Sequence, residues 1–187
     1  MDDNKPQLKK NLYKINPLLK LYLEKYKRVT KTNVFYDDLL RFQGSVSVFD
    51  KNGEDSLWVR VYYNEFEKND IDKSLKKIYT LLHSDGNESS FEFLSVDEID
   101  FCTFGNSQPF RIKVRNILND NYTHFYIKKA DASRIFGLEL EHILSPNRIN
   151  YLVFKDTLIE EHIVGIPGDV FLEKNLKTCS ETEKTQI

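Results

Sequence analysis

From Phe91 to Phe171 the sequence runs through short alternating stretches with one helical stretch among them, and this order restricts the fold more than any other feature. "FEFLSVDEIDFCTF" supports one or two strands, "FRIKVRN" another and "NYTHFYIKKA" a third. Apolar residues there tend to recur at every second position, as a half-buried strand requires. "LNDN" between the last two is turn chemistry. Asp131 or Ser133 then caps a helix that reaches Leu144, where Ser145-Pro146-Asn147 stops it. "INYLVF" and "TLIEEHIV" follow as two strands around a Lys155-Asp156 turn. The expected class is α+β: N-terminal helices and a hairpin, followed by a mostly antiparallel sheet with one packed helix.

The first part is more mixed. Leu8, Leu12, Ile15, Leu19, Tyr22 and Tyr26 recur at helical steps, so residues 6–29 read as a helix with lysines on its other face. Pro17 should break or kink that helix near Asn16, because it lacks the N–H and crowds the preceding turn. A short helix is expected over Phe35 to Phe42. "SVSVFDKNGEDSLWVRVYY" reads as a hairpin turned by Asn52-Gly53. Trp58, Arg60 and Tyr62 would share one face of its second strand, and Leu57, Val59, Val61 and Tyr63 the other. Residues 70–84 read as a helix capped by Asp70 and ended by Gly86. The stretch "SDGNESS" suggests a weak boundary. The expected organisation is therefore 1–88 as an N-terminal region of helices and hairpin, 89–175 as a strand-rich α+β unit, and 176–187 as a polar, disordered tail.

Composition narrows the classes. With aromatic residues at 13% and few Gly and Pro, the chain can build a packed core. A net charge of -2 argues against a globally basic nucleic-acid binder, so nucleic acid is not an expected partner. Cys102 and Cys179 stand far apart, in neither a zinc pattern nor a disulfide framework, and read as free thiols of a reducing compartment. No signal-peptide core follows Met1 and no apolar run approaches a membrane span, so a cytoplasmic location is expected. His142 and His162 each follow a glutamate, but neither has the spacing of a His-Glu-x-x-His metal site, so no metal is expected. No Ser or Cys sits in a nucleophile-elbow context.

The strand–strand–strand–helix–strand–strand order, with particular residues in it, resembles the N-terminal lobe of the protein-kinase-like phosphotransferases between Ile99 and Glu173. "FYIK", Phe125 to Lys128, resembles the strand whose lysine holds nucleotide phosphates. Gly105 precedes it at about the spacing of a glycine-rich loop. "SPNRINYLV" is similar to the stretch leading into the fourth strand of that lobe, and "LIEEHIVGIPGDVF" to its hinge. The resemblance implies a nucleotide half-site. Lys128 would contact phosphates and Glu139 on the helix would position it. Glu161 would lie in the hinge and Asp169 would accept from ribose hydroxyls.

Two alternatives stay open within that reading. Lys129 can replace Lys128 if the strand is turned over, because neighbouring side chains point to opposite faces. Glu141 can replace Glu139. The chain also departs from the pattern: "GNSQPF" holds one glycine where the family has three, and Glu160 stands where the family carries an apolar residue or Thr. Nothing in the sequence resembles the catalytic-base and magnesium-binding motifs that carry phosphoryl transfer. The expected function is thus the nucleotide-binding half of a kinase-like phosphotransferase, not competent alone. ATP and Mg would bind only with a C-terminal kinase lobe as partner. The alternative is a non-catalytic protein-interaction module, its partner surface on the basic helix at 6–29 or on the aromatics Trp58, Tyr62 and Tyr63.

Overall fold

The computed structural model describes residues 11–83, 88–104, 106–146, 148–165, 171–180 and 182. In chain order the elements are α1 (Pro17–Lys25), α2 (Tyr36–Leu39), β1 (Gly44–Phe49), β2 (Asp55–Tyr62), α3 (Glu65–His83), β3 (Leu94–Cys102), β4 (Phe110–Asn116), β5 (Tyr122–Lys129), α4 (Ala132–Leu144), β6 (Tyr151–Phe154) and β7 (Thr157–Glu161). The α+β expectation holds. The strands form a 7-stranded sheet in the order β1-β2-β3-β4-β5-β7-β6. Every neighbouring pair in it is antiparallel.

Local chemistry sets the ends of the elements. The Asn16 side chain accepts from the Leu19 N–H, and Pro17 takes the first helical position, where its missing N–H leaves nothing unpaired. Pro17 therefore starts α1 rather than kinking a longer helix, and residues 11–16 are not helical. In the first hairpin the Asp50 carboxylate accepts from the Asn52 and Glu54 N–H groups, and Gly53 takes the left-handed conformation the turn requires. Helix α3 begins at Glu65, earlier than Asp70. There Asn64 accepts from the Glu67 N–H while its own amide donates to the Glu67 carboxylate, a reciprocal cap. The expected stop at Gly86 lies outside the described residues. Asp131 caps α4 as anticipated, accepting from the Ser133 N–H and hydroxyl.

Side-chain alternation divides the sheet into two faces. On one, Val61, Ile99, Phe110, Ile112, Phe125 and Ile127 pack against Leu75, Ile78 and Leu82 of α3, with Tyr36 and Leu39 of α2. On the other, Leu158, Tyr151 and Val153 pack against Ile135 and Leu138 of α4, with Leu19 and Leu23 of α1. Helices α3 and α4 thus lie on opposite faces, each fully buried Leu or Ile contributing about 1.5–3 kcal/mol. Because β2 pairs with β3, one sheet joins strands from both halves of the chain, and the α3-side core draws on both halves as well. The β6 edge is covered in part by residues 28–30: the Thr30 N–H donates to the Val153 carbonyl and the Val153 N–H to the Arg28 carbonyl.

Where β2, β3 and β4 extend beyond α4, the same face carries charges and rings. Asp100, almost fully buried, accepts from Arg60 at 2.5 Å and Arg111 at 2.8 Å. Trp58 lies over the Arg111 guanidinium, 4.5 Å from ring centroid to carbon. Among the described residues no helix is long and apolar enough to cross a membrane.

Candidate functional site

The end of β5 delivers Lys128 and Lys129 to one end of the sheet, next to the β3–β4 turn. Pairing of Phe110 with Ile127 brings them together, since β4 begins at Phe110 and β5 continues past that pair to Lys128 and Lys129. Phe125 and Ile127 enter the α3-side core, so alternation turns Lys128 to the α4 side. The turn, Lys128, Lys129, Asp131 and Arg134 line a pocket of ≈ 440 Å³, with Asn106, Ser107 and Gln108 contributed by the turn. Tyr36 fastens the turn: its hydroxyl donates to the Gln108 carbonyl at 2.8 Å, and burial pushes its pKa to about 12. The N-terminal stretch completes the wall with Leu12. It is held there by the Tyr13 N–H donating to Asp131 and the Ala132 N–H donating to the Tyr13 carbonyl.

The cations in this pocket are held by carboxylates. Lys128 Nζ lies 2.9 Å from Glu160 Oε2 on β7. Arg134 binds the same carboxylate through two nitrogens, Nε to Oε1 at 2.9 Å and Nη2 to Oε2 at 3.1 Å. Burial would raise the Glu160 carboxyl, but the Arg134 hydrogen bond and the Lys128 charge outweigh it and hold it below the usual carboxylate range. Burial lowers the Lys128 ammonium, with Glu160 opposing that shift. Lys129 reaches Asp37 at 2.6 Å and Asp156 at 3.6 Å. Among the described residues these pairs leave two N–H bonds of Lys128 and the outer nitrogen of Arg134 without a hydrogen-bond partner.

Glu139 is elsewhere. It accepts from the Tyr22 hydroxyl at 2.6 Å, the Tyr151 hydroxyl at 2.5 Å and Arg28 Nε at 3.1 Å. The expected pair between Lys128 and Glu139 is therefore not formed; Glu160 takes the lysine, and Glu139 ties α4 to α1 and β6. Glu161 accepts from the Asn150 N–H at 2.6 Å and the Asn150 side-chain amide at 3.1 Å, closing the entry to β6. Gly105 and Asp169 lie outside the described residues. Sequence reasoning missed Arg134. Its signal was a cation in the first turn of a helix, where the macrodipole disfavours it unless a carboxylate is fixed nearby.

The aromatic surface expected on the hairpin is divided. Tyr63 turns inward, its hydroxyl donating to the Leu39 carbonyl at 2.6 Å. Trp58 is half-buried against Arg111 and Tyr126, while Tyr62 stays exposed. A second concavity, of ≈ 460 Å³, runs between α1 and α4 and is almost wholly apolar. Among the described residues no group of three or more His, Cys, Asp or Glu is placed to hold a metal ion.

Fold and site together define an α+β protein with an end pocket of ion-paired lysines and arginine and an apolar interhelical groove. No family model, no curated protein and no solved structure matches the chain.

Proposed function

We propose that the end pocket binds a phosphate-bearing small molecule of the nucleotide type, and that the chain serves as the nucleotide-binding half of a kinase-like phosphotransferase. The observation that carries this reading is the meeting of the 106–108 turn with Lys128, Lys129 and Arg134 around one pocket. The resemblance to a kinase N-lobe anticipates a turn over a strand lysine. In this reading Lys128 and Arg134 bind phosphate oxygens while Glu160 fixes both, the role first expected of Glu139. Phosphoryl transfer from ATP would also require a catalytic aspartate and magnesium ligands from a second lobe.

Calorimetric titration with ATP tests the reading. Binding is expected to be weak, because a half-site supplies only part of the contacts and each missing 1.4 kcal/mol weakens affinity about tenfold. Lys128→Ala should weaken it by about tenfold or more, and Ser107→Ala, on an exposed turn, should weaken it without altering the melting temperature. Binding insensitive to both substitutions, or no binding at millimolar ATP, would refute the assignment.

A second reading, a protein-interaction module on an α+β scaffold, is favoured by a separate observation. The outward face of α4 exposes Phe136, Leu140, Ile143 and Leu144.

A further inference from the structure

Helix α4 is apolar on both sides. Ile135 and Leu138 fill the core beneath it, while Phe136, Leu140, Ile143 and Leu144 recur at helical spacing on its outer side, Leu144 at 77% exposure. A surface helix ordinarily confines its apolar residues to the side that faces the core. Helix α1 extends the patch with Leu21 and with Leu18, 79% exposed. Leu18, Leu19, Tyr22, Phe136, Leu140 and Ile143 line the groove between the helices. Large apolar residues exposed together rather than singly are a mark of interaction sites.

Gly137 gives an independent indication. It lies exposed on the outer side of α4, its backbone is ordinary helix, and an added Cβ would meet no heavy atom within 4 Å. Glycine at an exposed mid-helix position costs roughly 1 kcal/mol relative to alanine, and nothing inside the fold requires it. A bare backbone beside Phe136 and Leu140 allows a second helix to approach closely.

The rim selects the charge of that helix. Lys14, Lys25, Lys27 and Arg148 are exposed on and around the two helices, against half-exposed Glu141, while Lys20 pairs with Glu24 on the far side of α1 from Leu18. Lys25 falls two helical turns after Leu18 and shares its face. A second copy of this chain would bring one lysine-rich rim towards another, which opposes self-association.

We propose that the α1–α4 groove receives an amphipathic helix of an acidic partner protein, its apolar side against Phe136, Leu140 and Leu18, its glutamates or aspartates facing Lys25 and the lysines that flank α1, and its backbone passing Gly137 at the groove's edge. The proposal rests on the interaction-module reading and is independent of the end pocket.

Fluorescence anisotropy of the full chain with a labelled synthetic peptide tests it. The peptide is an amphipathic helix with leucines along one side and glutamates flanking them, and the control replaces each glutamate by lysine. The acidic peptide should bind at least about tenfold more tightly than its lysine counterpart. Leu140→Glu and Gly137→Leu, both at exposed positions, should each reduce that binding about tenfold or more without lowering the melting temperature and with the ATP titration unchanged. Equal affinity for both peptides, or binding unaffected by Leu140→Glu, overturns the proposal. So does a dimer of the free protein that Leu140→Glu dissociates, or binding to anionic phospholipid vesicles that Leu140→Glu abolishes, since the groove would then take a second copy or a membrane.

Discussion

Arg134 holds Glu160 through two parallel hydrogen bonds of 2.9 and 3.1 Å, drawing the first turn of α4 onto β7. Lys128 approaches the same carboxylate from β5, so one buried acid joins two strands and a helix at the mouth of the end pocket. Removing that acid leaves the Lys128 ammonium, itself largely buried, without its counter-charge. Glu160→Ala should destabilise the fold by about 3 kcal/mol or more, read as a lower urea midpoint. Arg134→Ala should cost clearly less, because its guanidinium is partly open to water and the lysine still balances the carboxylate.

Acid should loosen the same two junctions. Burial raises both the Glu139 and Glu160 carboxyls, but hydrogen bonds and cations outweigh it, and both end below the ordinary value of 4.5. A carboxyl with a depressed folded-state pKa stabilises the fold above its unfolded pKa and loses that contribution as pH falls through the folded value. Stability from these groups should therefore hold near neutral pH and decline once pH drops below about 4.5. Urea midpoints measured against pH should show a shallower acid decline in Glu139→Gln and Glu160→Gln than in the parent protein. Parallel profiles would contradict this assignment.

The knot around Glu139 makes a separate prediction. Tyr151 is almost fully buried and its hydroxyl donates to Glu139 at 2.5 Å. Tyr151→Phe keeps the ring and removes one donor to an ionised acceptor, so about 1.5–3 kcal/mol should be lost. Tyr22→Phe should cost less, since that side chain is only partly buried. The double variant should show non-additive losses in chemical unfolding, because both hydroxyls serve one carboxylate.

Gly137→Ala separates stability from recognition. The added methyl group meets no heavy atom within 4 Å, so the free protein should gain up to about 1 kcal/mol and melt higher. The same methyl group intrudes where a docked helix would pass, so affinity for the acidic peptide should fall. A variant less stable than the parent would show that Gly137 serves the fold itself.

Much of this architecture follows from neighbours a few residues apart, and that part was legible. Alternation announced the strands from Leu94 onwards, although Phe91–Phe93, expected as strand, form a 3-10 turn; Asp131 announced α4, and Asn52-Gly53 announced the first hairpin. Pro17 marked a helix boundary, although its position at the start of α1 depended on Asn16 serving as cap. The start of α3 lies earlier than expected because Asn64 and Glu67 cap each other before the apolar stripe begins at Ile71.

Of the two candidate groupings, the sequence by itself determined only the parts. It placed Lys128 and Lys129 on a strand end, Glu139 on the next helix, and Glu160 and Glu161 on the last strand of the sheet. Which acid meets which cation was decided by the tertiary structure, because β7 lies between β5 and β6 and so brings Glu160 beside Lys128. Packing of α1 and residue 28 against α4 meanwhile claims Glu139 through Tyr22 and Arg28. Such pairings join residues far apart in the chain, and no local periodicity carries them. The outward stripe of α4 belongs to both levels: its apolar residues are plain in the sequence, but only the packed structure shows which side of the helix remains uncovered, because Ile135 and Leu138 alone suffice to bury the other.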